Sequence, residues 1–206
     1  MAGEPVPSAL LTENGIEGDR LIQVVDGRGR TVTSRTHPGL LGFHATLDAG
    51  GQARIDGVPW TEPSVLARVR SVAGPEARLI RDESPDRFDI LPLLVATDGS
   101  IAAFGRDGRR LRPNIVIGGV EGLAERSWER GVLFGGNAVI GIHDLRGRCV
   151  MTTFDPDTLQ QDRGVLFDIV KRFQGKLALN CEVLQGGRIS VGDPVEFSAS
   201  WNRQRS

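Results

Sequence analysis

Cys149 lies in the stretch Leu145-Arg146-Gly147-Arg148-Cys149-Val150-Met151-Thr152-Thr153-Phe154-Asp155-Pro156, with two arginines just ahead of the thiol. A neighbouring guanidinium stabilises the ionised form of a thiol, so Arg146 and Arg148 are expected to favour a thiolate here. A thiolate is both a nucleophile and a soft ligand for a metal. The residue also suits a quieter role, as a small apolar side chain buried in a strand running from Cys149 to Thr153.

Arginines recur at the ends of expected strands: Arg20, Arg35, Arg112, Arg146 and Arg148. Arg112-Pro113-Asn114 sets a guanidinium and an amide at the mouth of the apolar run Ile115-Val116-Ile117. Arginine forks grip phosphate through paired N–H bonds, and an asparagine amide can match the edge of a heterocycle with a donor and an acceptor together. The competing account is a set of surface ion pairs with Asp19, Asp86, Asp89 and Asp155. His37, His44 and His143 are scattered and form no H-x-x-x-H spacing, and a Cys149–His143 pair six residues apart is a poor nucleophile–base arrangement. Gly131 to Asn137 lacks the lysine and following helix of a phosphate loop and reads as a hairpin turn.

Those residues must be positioned by a chain of 206 residues, long enough for a core without staples. Its two cysteines, Cys149 and Cys181, have no C-x-x-C partner, which suggests free thiols in a reducing compartment. A formal charge of −1, with no tyrosine and few other aromatics, argues against nucleic acid as a partner. No apolar run reaches the ~20 residues of a membrane span, and the first residues lack the features of a signal peptide. A soluble, cytoplasmic protein is expected.

With 27 glycines and 11 prolines dispersed between short apolar runs, the fold class expected is mainly β, a barrel or paired sheets with a few flanking helices. Residues 21–26 and 30–34 are expected to pair as a hairpin across Gly27-Arg28-Gly29. Further strands are expected over 43–47, 53–55, 77–80, 114–117, 138–143, 150–154, 178–184 and 195–197. Helices are expected over 98–104, with Asp98 as cap, and over 165–173, where Leu166, Ile169, Val170 and Phe173 recur at helical spacing. Residues 57–75 show no clear period and suit a loop insertion or a small substrate-side element. Nothing marks a linker, so residues 1–206 are read as one domain.

Several pieces in order resemble the MOSC family, named for the C-terminal domain of molybdenum cofactor sulfurase. They are Gly18-Asp19-Arg20 with Val24-Val25-Asp26, Thr33-Ser34-Arg35 before Pro38, Arg112-Pro113-Asn114, Arg148-Cys149 with Thr152-Thr153 and Asp155-Pro156, and Gly187 to Asp193. The resemblance spans residues 10–197 and implies a β-barrel that binds the molybdopterin form of molybdenum cofactor. It implies that Cys149 ligates molybdenum, as the matching cysteine does in relatives such as the mitochondrial amidoxime-reducing component. Arg35, Arg112, Asn114 and Arg148 match positions that hold the pterin and its phosphate, with Thr33 and Arg146 as lesser contacts. Relatives contribute a lysine-bearing N-terminal strand to the pocket, whereas the first lysine here is Lys171, so a differently closed pocket is expected. The implied activity is reduction of N-hydroxylated or other N-oxygenated small molecules, with electrons from a separate donor protein. Two alternatives use the same residues. In one, Cys149 carries sulfur as a persulfide received from a cysteine desulfurase; in the other, the chain is a non-catalytic carrier of molybdenum cofactor.

Overall fold

A computed structural model describes residues 2–200 of the chain. Strands predominate. In chain order they are β1 (Ser8–Thr12), β2 (Gly15–Ile16), β3 (Ile22–Val25), β4 (Ala45–Leu47), β5 (Ala53–Ile55), β6 (Val58–Pro59) and β7 (Arg78–Arg81). There follow β8 (Leu93–Thr97), β9 (Ile115–Ile117), β10 (Val132–Gly135), β11 (Ala138–Gly147), β12 (Lys176–Gln185), β13 (Gly187–Ser190) and β14 (Val195–Ser198). The α-helices are α1 (Pro63–Ala73), α2 (Asp98–Phe104) and α3 (Gly164–Phe173). The mainly β class expected from composition is what the chain adopts.

The chain forms two compact units. The first comprises residues 2–6, 18–88 and 154–161. Here β3 pairs with β7, and β4, β5 and β6 form a small antiparallel sheet. The expected hairpin after β3 is reduced to one bridge, Val25 to Thr31, because Asp26 accepts backbone N–H groups from Arg28 and Arg30 and tightens the turn. Most of residues 57–75 form α1, which starts at Pro63 and buries Val65 and Val69 against Val24, Leu40, Phe43 and Ile55. Its period is hidden in the sequence by β-branched valines and flanking prolines, which disfavour helix intrinsically yet fit this one, since Pro63 sits where no N–H is needed.

The second unit comprises residues 7–17, 89–153 and 162–200. Its main sheet has the order β14-β10-β11-β12-β8-β9, antiparallel except for the parallel β8–β9 pair. A smaller sheet, β13-β1-β2, supplies Leu11, Ile16 and Ile189 to the same core as Leu93, Val95, Leu133, Ile140 and Leu179. A second cluster joins Phe104 of α2, Leu111, Leu177 and the inner face of α3, where Val165, Ile169 and Phe173 recur every four residues. Val170, expected inside, is 55% exposed, and Val165 takes the inward position instead.

The start of α2 shows why a loop near β9 is fixed. Thr97, not Asp98, is the cap: its hydroxyl accepts from Ser100 N, and Ser100 Oγ accepts from Thr97 N, each at 3.1 Å. Asp98 instead accepts from Gly119 N at 2.7 Å and Val120 N at 3.0 Å, which holds its pKa below the usual carboxylate value. A side chain at Gly99 would collide with the carbonyl oxygens of Val120 and Gly122.

Ile169→Ala, which empties a fully buried position, is expected to destabilise the protein by ~2–5 kcal/mol in urea unfolding, whereas Val170→Ser on the same helix changes stability by under ~0.5 kcal/mol. Asp98→Asn is expected to lower the melting temperature at neutral pH. Because the folded-state pKa is depressed, the wild-type advantage is present above the unfolded value of ~4 and shrinks as pH falls below it, which a pH series of melts would read.

Candidate active site

The long strands β11 and β12 are interrupted by bulges that shape one end of the main sheet. Ile142 pairs with Cys181 and Asp144 with Asn180, so His143 is an extra residue in β11. Leu145 then pairs with Leu179 and Gly147 with Lys176, so β12 carries an extra residue opposite Arg146. That bulge contains Ala178 in the left-handed region, at φ +67°. Bulges sharpen twist and re-aim side chains, and here Leu177 joins the helical cluster while Leu179 joins the sheet core.

The register places Asp144, Asn180 and Leu94 in one transverse row, and Asn114 closes it by accepting the Leu94 N–H through Oδ1 at 2.9 Å. The next row, Leu145, Leu179, Val95 and Ile115, enters the core. Alternation thus leaves a polar row beside an apolar one, because side chains of successive residues leave a sheet on opposite faces.

Beyond Gly147 the chain leaves the sheet. Arg148 N donates to Gly175 O at 2.8 Å, and Val150–Thr153 forms a 3-10 turn, not the strand expected from its β-branched residues. The threonines decide this: Thr152 Oγ1 donates to Cys149 O at 2.9 Å and Thr153 Oγ1 to Val150 O at 2.6 Å. Such side-chain bonds to nearby carbonyls compete with strand pairing. Arg110 Nη1 donates to Thr153 O at 3.1 Å and ties this turn to the 3-10 turn Gly108–Leu111. Cys149 therefore sits at the head of a pinned turn, half-buried, and not in a strand interior.

Arg148 is a tightly constrained charge in this unit. Its Nη2 donates to Leu111 O at 2.6 Å, while Nε and Nη1 are out of contact with water and have no hydrogen-bond partner. The residue as a whole keeps some exposed surface, but those two donors keep essentially none. Burial pushes its pKa down to about 10, helped by the charge of Arg146 and, more weakly, Arg112; an anionic Cys149 acts in the opposite sense. Arg112, Arg146, Arg148 and Cys149 thus form one electrostatic cluster. Arg112 adopts a left-handed backbone, φ +55°, at the end of its 3-10 turn, a conformation that costs a non-glycine residue of order 1 kcal/mol.

Arg146 is paired: Nη2 lies 2.7 Å from Asp89 Oδ2, and Nη1 donates to Asn180 Oδ1 at 3.2 Å. The ion-pair account considered for the arginines therefore holds for this one. Asn180 in turn donates Nδ2 to Asp144 Oδ1 at 2.6 Å. Asn180 was not singled out in the sequence, although a lone amide in the apolar run Leu177-Ala178-Leu179-Asn180-Cys181 is an available signal. His143 is exposed and leans toward Asp144, Nδ1 to Oδ1 3.5 Å. Cys181 is buried and burial pushes its thiol pKa up, so it stays protonated. Thr33 and Arg35 belong to the first unit, in a turn where Thr33 O accepts from Thr36 N and His37 N. Cys149, Arg112, Asn114, Arg146 and Arg148 belong to the second.

Residues 101–196 match the MOSC domain family. The match covers slightly less than half of the chain. It is 32% identical over 131 residues to human mitochondrial amidoxime-reducing component 1, a match covering 52% of this chain and 37% of the relative. Human mitochondrial amidoxime reducing component 2 is 31% identical over 126 residues, with the same shares covered. The matched segment is thus little more than a third of the length of these curated relatives. Among solved structures, YiiM from Geobacillus stearothermophilus aligns with a TM-score of 0.41 at 16% identity, covering 52% of this chain and 54% of that one. The YUAD protein from Bacillus subtilis aligns with 0.42 at 12% identity, covering 92% and 95%. The MOSC match spans Arg112, Asn114, Arg146, Arg148 and Cys149.

A sealed guanidinium with spare donors is a liability to folding unless something anionic uses it. Arg148→Met is therefore expected to unfold within ~1 kcal/mol of wild type or to be more stable, while anion binding at this end of the sheet is lost. Destabilisation above ~2 kcal/mol in denaturant would show that the guanidinium serves the fold itself.

Proposed function

We propose that the protein is a cytoplasmic molybdenum-cofactor oxidoreductase that reduces N-hydroxylated or other N-oxygenated small molecules. The observation that carries this reading is Cys149 beside the sealed, donor-rich guanidinium of Arg148. The residues suit the cofactor on chemical grounds. A half-buried thiol is a soft ligand appropriate to molybdenum, and two unspent N–H donors on a cation suit the anionic oxygens of a pterin phosphate. Asn114, its oxygen engaged by Leu94, offers its amide donors to a heterocycle edge. The names of the matched relatives, amidoxime-reducing components, agree in substrate class.

When bound, the cofactor supplies the two-electron oxygen-transfer chemistry that side chains lack. The protein's own residues hold and orient. Cys149 would anchor the metal, Arg148, Arg112 and Asn114 would grip the pterin and its phosphate, and Arg146 would add a further contact. The pinned turn after Cys149 keeps the sulfur in place without a conformational search, which favours preorganised binding. Overall, an N-hydroxylated substrate would take up two electrons and two protons to give the reduced nitrogen compound and water, with electrons from a separate reductase or iron–sulfur protein.

Protein made in a cofactor-producing host is expected to contain about one molybdenum and one pterin per chain by elemental analysis and pterin fluorescence. Cys149→Ser should lose the metal, and Cys181→Ser should keep it. The loaded protein is expected to oxidise reduced viologen faster when hydroxylated amidines are added. Loading without turnover would point to a cofactor carrier. Absence of metal and pterin from wild type, with cyanide-labile sulfur on Cys149 after incubation with a cysteine desulfurase, would point to a persulfide carrier.

A further inference from the structure

α3 carries apolar residues on the face it turns to solvent. A helix that buries one stripe, here Val165, Ile169 and Phe173, ordinarily presents polar residues opposite. α1 does so: Ser64, Arg68, Arg70 and Ser71 are exposed, and no large apolar side chain is. α3 instead exposes Phe167, at 70%, and Val170, at 55%, three residues apart and so neighbours on the helix surface. The exposed Arg163 and Lys171 flank them, each four residues from Phe167, and the bond from Phe167 N to Arg163 O carries the helical spacing back to Arg163. Neither cation meets a carboxylate among the described residues. Asp162 pairs with Arg106 at 3.3 Å and Asp168 with Arg172 at 3.0 Å. Arg172 also donates to Ala103 O and Phe104 O, which draws its pair toward α2. The helix and its ion-pair partners thus hold the cations Arg106, Arg163, Lys171 and Arg172 against the carboxylates Asp162 and Asp168.

The helix is also strapped to the segment that bears Cys149. Just ahead of it, Asp162 N donates to Thr153 O at 2.9 Å; just after it, Gly175 O accepts from Arg148 N at 2.8 Å. Between these straps its inner face packs on Leu111, whose carbonyl accepts from Arg148. One helix diameter, ~10 Å, therefore separates the outer face of α3 from the Cys149 segment.

We infer that Phe167 and Val170, rimmed by Arg163 and Lys171, form the docking face for an acidic electron-carrier protein. An apolar centre with a charged rim is the build of a small transient interface, and the rim sets the sign of the partner. A lipid surface is a poorer match, because a helix lying in a membrane commits its apolar stripe to lipid and that of α3 is committed to the core. The carrier gives up two electrons in single steps; the N-hydroxylated substrate takes them with two protons, its N–O bond breaks and water leaves. The inference rests on the oxidoreductase reading above.

The test measures binding to the full chain prepared without cofactor, by fluorescence anisotropy of a labelled [2Fe–2S] ferredoxin and a labelled flavodoxin, both acidic carriers, with basic cytochrome c as the control of opposite charge. At least one acidic carrier is expected to bind, more weakly as salt rises, and cytochrome c is not. Phe167→Ser should weaken binding about tenfold and Lys171→Glu about fivefold, while Lys171→Arg and Val191→Ser, an exposed change off this face, should bind as wild type does. In cofactor-loaded protein, carrier-driven turnover should fall in the same variants while viologen-driven turnover is kept. Binding of neither acidic carrier, or undiminished binding by Phe167→Ser and Lys171→Glu, overturns the inference. So does loss of binding to phosphatidylserine vesicles in those variants with carrier binding intact, which would assign the face to lipid. Absence of molybdenum and pterin with the expected carrier binding would remove the oxidoreductase reading and leave the docking face standing.

Discussion

A guanidinium withdrawn from water with two N–H donors unspent is the constraint around which this end of the molecule is arranged. Arg148 cannot relax toward solvent, because its own backbone N–H is fixed to Gly175 O and its Nη2 to Leu111 O. The turn that follows is equally fixed, by Thr152, Thr153 and Arg110. Arg146 and Arg112 add charge of the same sign nearby. A structure with only its own stability to serve would discharge this cluster, since apolar replacements of buried ions are often neutral or favourable. Its persistence requires that the two hydrophobic clusters of this unit supply stability in excess of what the site consumes.

How a regular sheet delivers such an irregular end is answered by the bulges. Without the extra residue at His143, Asp144 would not face Asn180; without the β12 bulge, Leu177 and Leu179 could not serve separate cores while Arg146 spans the gap. Each bulge changes the side-chain phase of its strand, so the polar row and the apolar row coexist one residue apart. The Asp144–Asn180–Arg146 chain then converts that geometry into a fixed position for a charge.

The parts legible in sequence were those with a local cause. Buried runs such as Ala138–Ile142, the helix period of α3 and the identity of the arginines around Cys149 all follow from nearest neighbours in the chain. Strands β1, β8 and β13 are not legible locally, since their pairing partners are distant in sequence and their own patterns are short. The run Val150–Thr153 departs from the expected strand because β-branched residues favour strands on average, while two hydroxyls bonding backward here favour a tight turn. Residues 131–137 have the composition of a turn, whereas Val132–Gly135 is a strand and only the tip turns. In the site, Asn180 and Asp89 were invisible as partners of Arg146, as their sequence separations are 34 and 57 residues.

The depressed pKa of Arg148 also bears on how an anion would be held there. For a base whose folded-state pKa lies near 10, below its ordinary value, the folded protein binds fewer protons than the unfolded chain between the two. Stability therefore rises as pH climbs through that window, and the penalty is carried in full at every pH below it. At neutral pH the guanidinium is charged, buried and short of acceptors, so the ligand-free protein bears the whole penalty. An anion that accepts from Nε and Nη1 restores the arginine's ordinary hold on its proton, and the penalty reappears as binding free energy. Binding of an anion there would draw on that penalty, and the positive charges of Arg146 and Arg112 would add to the gain.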